Sequence, residues 1–241
     1  MTAGIASTIR PFGETRPPAD AEPRASFGGK TPARADAHAG VDEVTALATH
    51  RSGAARRMDP AAVERAAWDL LVGLGADLTD EGLRETPRRV AAAYAELLTP
   101  APFNPTTFPN DEGYDELVVA GDIPFHSLCM HHLLPFSGVA HVAYLPAGRI
   151  LGLSKLARVV DLFARDLQVQ ERLTVQVADW LEEHVEPKGV GVVLEAEHSC
   201  MSLRGVQKPG TRTVTSALRG RLRDDPRTRQ EFLGLITRRA R

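Results

Sequence analysis

Cysteine is nearly absent from this chain: Cys129 and Cys200 are the two it has in 241 residues. A secreted domain framed by disulfides usually carries more of them in a shorter chain, so a disulfide scaffold is a poor account of this sequence. No apolar run approaches the roughly 20 residues of a membrane-spanning helix. The N-terminus has no continuous apolar core of the signal-peptide kind, because Ile5 and Ile9 stand isolated among Ala, Thr, Pro and charges. Net charge is close to zero as well, formally −2, so no global field argues for wrapping nucleic acid. Any anion site must be a local cluster of Arg and Lys. What these absences leave is a soluble cytoplasmic protein with neither nucleic acid nor membrane as partner.

Hydrophobic residues make up 43% and charged residues 25%, ordinary proportions for a globular chain able to bury a sizeable core. They are unevenly spread. Residues 1–57 are rich in Ala, Pro, Gly and Arg with few large apolar groups, and read as a disordered extension. Val41 to Leu47 offers a single helical turn within it, and a translation start at Met58 is an alternative reading.

From Asp59-Pro60 the pattern turns helical, with Val63, Ala67, Leu70, Leu71 and Leu74 in period and Gly73 and Gly75 closing it. Thr86-Pro87 opens a second helix carrying Val90, Tyr94, Leu97 and Leu98, which Pro100, Pro102 and Pro105 end. Strands are expected over 116–123, 138–145, 190–201 and 212–218. Helices are expected from a Ser154 cap through Leu167 and over 171–184. Mixed elements without a regular βαβ repeat fit an α+β fold with an antiparallel sheet.

Both cysteines sit beside histidines: Cys129-Met130-His131-His132 and His198-Ser199-Cys200. Cys129 and His132, three apart, share a face in a tight or helical turn. Cys200 can join them only through the fold. Thiolate and imidazole are donors that zinc prefers, and three protein ligands leave a fourth position for water, the catalytic arrangement. The competing readings are two buried core cysteines or a Cys129–Cys200 disulfide, and the compartment argues against the latter. Spacing alone does not choose between His131 and His132 as ligand. The other would face substrate, where a free imidazole suits acid or base work.

A basic set follows. Lys155 and Arg158 lie three apart at a helix start, where free N–H groups favour an anion, and Arg204 and Lys208 follow the second cysteine. Together they can hold a triphosphate, although a solvated helix face explains Lys155 and Arg158 equally well. Glu171 can accept two hydrogen bonds side by side, as a guanine edge offers, or serve as a helix-dipole partner.

Taken together, Ser127-Leu128-Cys129-Met130-His131-His132, Gly152-Leu153-Ser154-Lys155, Gln168-Val169-Gln170-Glu171-Arg172-Leu173-Thr174, Glu197-His198-Ser199-Cys200-Met201, Arg204-Gly205-Val206-Gln207 and Thr213-Val214-Thr215-Ser216 resemble GTP cyclohydrolase I from about Met58 to Ile236. The resemblance implies a zinc enzyme that converts GTP and water to formate and 7,8-dihydroneopterin triphosphate, the entry to tetrahydrofolate and pterin synthesis. Cys129, His132 and Cys200 would hold zinc. His131 would move protons as the imidazole ring opens after water attacks C8. His198, with Ser154 nearby, would act on the ribose in the later rearrangement. Glu171 would anchor the guanine and Gln170 the ribose. Lys155, Arg158, Arg204 and Arg89 would hold the triphosphate.

The resemblance also implies the tunnelling fold, with sheets of several subunits closing into a barrel, and a homodecamer with sites at subunit interfaces. The family domain would cover 58–241, with N-terminal helices over 58–100 and a catalytic α+β part over 114–241. One residue departs from the pattern: Met130 stands where the family usually has Glu, which removes a carboxylate able to tune the neighbouring groups.

Two rivals remain in view. One is an enzyme arrested after ring opening, which releases formate alone. The other is a non-catalytic metal- or nucleotide-binding relative.

Overall fold

Residues 58–237 are described by the computed structural model. The extension over 1–57, its Val41–Leu47 turn and the Met58 start all lie outside or at the edge of that range. Helix α1 (Pro60–Gly73) begins where the Asp59 carboxylate accepts a hydrogen bond from the Ala62 N–H at 3.1 Å, the cap that Asp-Pro predicts. Helix α2 (Thr86–Leu97) follows, and the two helices pack on each other.

The rest alternates strands and helices: β1 (Thr107–Pro109), β2 (Val118–Cys129), β3 (Pro135–Leu145), β4 (Arg149–Leu151), α3 (Leu153–Ala164), β5 (Leu167–Gln168), α4 (Gln170–Val185), β6 (Gly189–His198), the helical turn α5 (Ser199–Ser202), β7 (Arg212–Gly220), α6 (Arg221–Asp224) and α7 (Pro226–Thr237). Five strands form the larger sheet in the order β5-β2-β3-β6-β7, antiparallel except for the short β2–β5 pair, while β1 and β4 form a small ladder of their own. The α+β expectation is met.

Period-two alternation decides what each face of the sheet buries. On β3 and β6 the even residues Ala140, Val142, Tyr144, Val190, Val192 and Leu194 enter the main core with Leu156, Val159 and Val160 of α3 and Leu173, Val177 and Leu181 of α4. Each fully buried aliphatic side chain contributes about 1.5–3 kcal/mol, so this layer is the principal source of stability. The odd residues Ala143, Leu145 and Val193 pack instead against Leu222, Phe232 and Ile236 of α6 and α7. Tyr144 is buried and its hydroxyl accepts from the Leu151 N–H at 2.9 Å, which ties β4 to the core.

Several boundaries differ from the sequence expectation. Strand β2 runs six residues past Ile123, because a bulge at Ala120–Ile123, with Asp122 at φ 56°, resets its alternation. Ser154 is not a cap: α3 starts at Leu153 after Gly152, and no side chain caps it. Leu167 lies in β5, outside that helix, and β6 ends at His198, so Cys200 stands on a helical turn. Strands β1 and β4 and helices α6 and α7 carry too little periodicity to be read in advance. No helix among the described residues is long and apolar enough to cross a membrane.

Among the described glycines, Gly138 is the one where an added Cβ would come closest to a neighbour. A Cβ there would lie 1.9 Å from the Glu195 carbonyl oxygen and 2.6 Å from the Ala196 Cα across the β3–β6 ladder. Gly138→Ala is therefore expected to lower stability by about 3 kcal/mol in denaturant unfolding. Gly73→Ala, where nothing lies within 4 Å of the added carbon, is expected to be neutral or up to about 1 kcal/mol more stable. Equal effects at the two sites would contradict this packing.

Candidate metal centre and active site

Cys129 is the last residue of β2, and the chain reverses immediately after it to enter β3. The Cys129 N–H donates to Leu134 O at 2.9 Å, and Cys129 O accepts from the Leu133 N–H at 2.9 Å and the His132 N–H at 3.3 Å. Closing so tightly puts Leu133 at φ 56°, an unfavourable conformation for a leucine. The Tyr94 hydroxyl of α2 donates to Leu133 O at 3.3 Å and helps hold it. The turn folds both histidines back on one sulfur: His132 Nδ1 lies 3.7 Å and His131 Nδ1 3.9 Å from Cys129 Sγ.

The other half arrives along β6. Its pairing with β3 sets His198 opposite Phe136, close to the start of β3. Turn α5 then brings Cys200 Sγ to 4.0 Å from Cys129 Sγ. The ligand atoms of Cys129, His132 and Cys200 all lie within 4.8 Å of one another.

This donor set fits zinc. Bond lengths of about 2.3 Å to sulfur and 2.0–2.1 Å to nitrogen imply tetrahedral edges of roughly 3.6–3.8 Å. The observed 3.7 Å and 4.0 Å are close to that, whereas a disulfide needs about 2.05 Å. Burial, and then the Cys129 thiol beside it, push the Cys200 thiol above its ordinary range. A divalent cation between the sulfurs reverses that cost, because it favours both thiolates.

Behind the cluster lie two buried polar networks, both built from the segment that opens α4. Gln168 O accepts from the Met130 N–H at 3.0 Å, and β5 pairs Gln168 with Cys129. The Gln168 side chain, 1% exposed, donates to Phe163 O and Gln176 Oε1, both at 2.8 Å, and accepts from Arg172 Nε at 2.7 Å. Arg172 also donates to Leu167 O. The second network supports His198, whose Nε2 lies 2.8 Å from Gln170 Oε1 and whose ring stacks on Phe136 with centroids 4.5 Å apart. Burial pushes the His198 imidazole below its ordinary range, and the Glu171 carboxylate opposes that shift.

The chain thus gathers Cys129, His131, His132, Cys200 and His198, with Glu171 near enough to act on His198 and Arg204 near enough to act on Cys200. Gln170 is buried behind His198 and does not line an open surface. Ser154, Lys155 and Arg158 sit on the first turns of α3 beside the β1–β4 ladder, where the Lys155 ammonium lies 5.9 Å from the Phe103 ring centroid. Arg89 is exposed on α2. Among the described residues no hydrogen bond, ion pair or ring contact joins these four to the cysteine cluster.

Gln168, Arg172, Thr174 and Thr215 stand in the family-like motifs without a role of their own, and Phe136 stands outside them. Polar residues at 168, 170, 172 and 174, where a helix start should bury apolar groups, were the available signal.

The profile of the family described as GTP cyclohydrolase I matches residues 63–237. This chain belongs to the GTP cyclohydrolase I family. It is 55% identical over 191 residues to GTP cyclohydrolase 1 of Streptomyces avermitilis, covering 76% of this chain and 94% of that protein. Identity to GTP cyclohydrolase 1 of Aquifex aeolicus is 53% over 179 residues, covering 74% and 97%. Among solved structures, an archaeosine synthase QueF-Like in the apo form aligns at 21% identity with a TM-score of 0.37, over 44% of this chain and 94% of that one. A likeness of that size bears on neither fold nor function.

For this member of the GTP cyclohydrolase I family, Cys129→Ser, His132→Ala and Cys200→Ser are each expected to bring bound zinc well below one per chain after dialysis. His131→Ala is expected to keep it. Metal analysis by mass spectrometry checks this. Zinc loss in His131→Ala with retention in His132→Ala would exchange their roles.

Proposed function

We propose that this chain is a zinc-dependent GTP cyclohydrolase that converts GTP and water to formate and 7,8-dihydroneopterin triphosphate in the cytoplasm. The observation that carries the reading is the Cys129–His132–Cys200 triad, with the His131 imidazole against the same Cys129 sulfur and His198 at the end of the strand that leads to Cys200, in a chain of this family. When bound, zinc supplies Lewis acidity that makes water a nucleophile near neutral pH.

The protein's own groups then divide the work. Glu171 accepts the N1–H and 2-amino hydrogens of guanine and orients C8 toward the metal cluster. His131, held against the same sulfur as the ligand His132 but left out of the triad, moves the proton to the imidazole nitrogen as the C8–N bond breaks. Addition of one water opens the ring, and a second releases formate. His198 then transfers protons while the ribose opens and rearranges, with the Ser154 hydroxyl assisting. Condensation of the new carbonyl with the freed amine returns one water, so the net reaction consumes one.

Arg204, Lys155, Arg158 and Arg89 hold the triphosphate. Arg204 follows Cys200 by four residues and its charge bears on that thiol, whereas among the described residues no contact links the other three to the cluster, which supports a site completed by a neighbouring subunit. Pairing of the outer strand β7 with another copy would close the sheet into the family's multi-subunit barrel and cover an exposed edge. We assign this role to residues 58–241 in a homodecamer, with helices over 58–100 and the catalytic part over 114–241.

Zinc-loaded protein given GTP is expected to release formate and, after oxidation, fluorescent neopterin in equal amounts. His131→Ala should lower both by at least roughly 10²-fold. Glu171→Gln should chiefly raise KM for GTP, since it loses charge-assisted hydrogen bonds of about 1.5–3 kcal/mol. Formate without the pterin would mean an enzyme arrested after ring opening, with Met130 the first residue to restore to Glu. Absence of both products from assembled, metal-loaded protein would overturn the reading in favour of a binding relative.

A further inference from the structure

Every polar atom of the Gln170 side chain is committed within the chain, and the residue is 1% exposed. Its Nε2 lies 3.1 Å from Leu194 O and 2.9 Å from Thr213 O. Backbone carbonyls only accept, so the NH2 end of the amide must face them and the oxygen must face the other way. The adjoining hydroxyls agree. Thr174 donates to the Gln170 backbone carbonyl at 2.7 Å. At the 2.6 Å Thr174–Thr215 contact, Thr215 is therefore the donor. Its lone pairs are left to accept from Gln170 Nε2 at 3.1 Å. The donors run in one direction and end with Gln170 Oε1, 2.8 Å from His198 Nε2. An amide oxygen cannot donate, so neutral His198 carries its hydrogen on Nε2. Stacking on Phe136, 4° from parallel, fixes the ring plane.

We infer that Gln170 is a positioning residue that locks His198 in the Nε2–H tautomer, making Nδ1 the atom that exchanges protons with the sugar-derived part of the substrate. This rests on the proposed reading of His198 as an acting residue. Under it, Gln170 reaches the ribose only through His198, in place of the direct contact that the family resemblance implies. Two hydrogens shared among three acceptors on the NH2 end leave no alternative orientation of comparable energy, since a flip would set the amide oxygen against two carbonyls. Thr174 and Thr215 pack against the amide without setting its orientation, which the two carbonyls fix.

The test is the nitrogen spectrum of His198 in the zinc-loaded full chain, labelled with 15N-histidine and recorded at about pH 8, where an ordinary imidazole is neutral. His198→Asn assigns the resonance among the eight histidines. The expected result is hydrogen on Nε2 and a bare Nδ1; hydrogen on Nδ1 would overturn the inference without any variant. Gln170→Leu removes the acceptor, and Gln170→Asn keeps an amide too short to serve both sides. Each is expected to mix the tautomers and to lower dihydroneopterin triphosphate by roughly 10²-fold relative to formate. Thr215→Val is expected to keep the tautomer and the product ratio, because the two carbonyls still orient the amide. Equal loss of both products with the Nε2–H tautomer intact would reduce Gln170 to a packing residue and overturn the inference. Should the Gln170 variants fail to fold, the wild-type spectrum still decides. A wild-type chain that shows the Nε2–H tautomer but turns over no GTP would contradict the proposed function and leave the tautomer assignment standing.

Discussion

Strand β3 is the member on which the site depends, because both halves of the cluster are measured from it. Its pairing with β2 sets Leu128 opposite Pro135, and its pairing with β6 sets Phe136 opposite His198. Two chain reversals are thereby brought to the same end of the sheet. One delivers Cys129 and the two histidines, the other His198 and Cys200. A one-residue slip in either ladder would turn every side chain to the opposite face and separate the thiols. The burial of Ala140, Val142 and Tyr144 on one face and Ala143 and Leu145 on the other makes such a slip costly. Gly138, with the Glu195 carbonyl pressed against it, pins the β3–β6 pair near the site.

The opening of α4 supplies the second constraint. A parallel contact of two residues, β5 against the end of β2, is weak by itself. Gln168, Arg172 and Gln176 reinforce it with buried hydrogen bonds, while Gln170 and Thr174 reach Thr215 on β7. Leaving one such buried polar group unpaired costs about 1–3 kcal/mol, so these networks hold one arrangement and penalise others. The same segment thus braces the cysteine from behind and the histidine from the side. Its exposed member, Glu171, is left free for the proposed guanine contact.

Much of this was legible in the sequence because it depends on local rules. Asp59-Pro60 marks a helix start, and alternation over 138–145 marks a buried strand. The crowding of both cysteines among histidines marks a metal site. What escaped was set by contacts remote in sequence. The second half of β2 carries Pro124, His126 and Ser127 and follows a bulge, so its pattern reads as a loop until β3 pairs with it. Ser154 has the composition of a cap, yet the helix begins before it. The inward turn of Gln170 could not be foreseen, because its partners Leu194 and Thr213 offer only backbone carbonyls, which every residue has. Spacing left His131 and His132 equivalent. The fold separates them by sub-ångström margins, and only the three-ligand geometry with Cys200 favours His132.

The central claim is that two sulfurs and the His132 nitrogen hold one zinc ion, with a position left open. Zinc-edge X-ray absorption on the stoichiometrically loaded protein tests this most directly. Two sulfurs at about 2.3 Å with nitrogen or oxygen donors at about 2.0–2.1 Å, unchanged in His131→Ala, is the predicted result. A single sulfur, or loss of a nitrogen donor in His131→Ala, would contradict it.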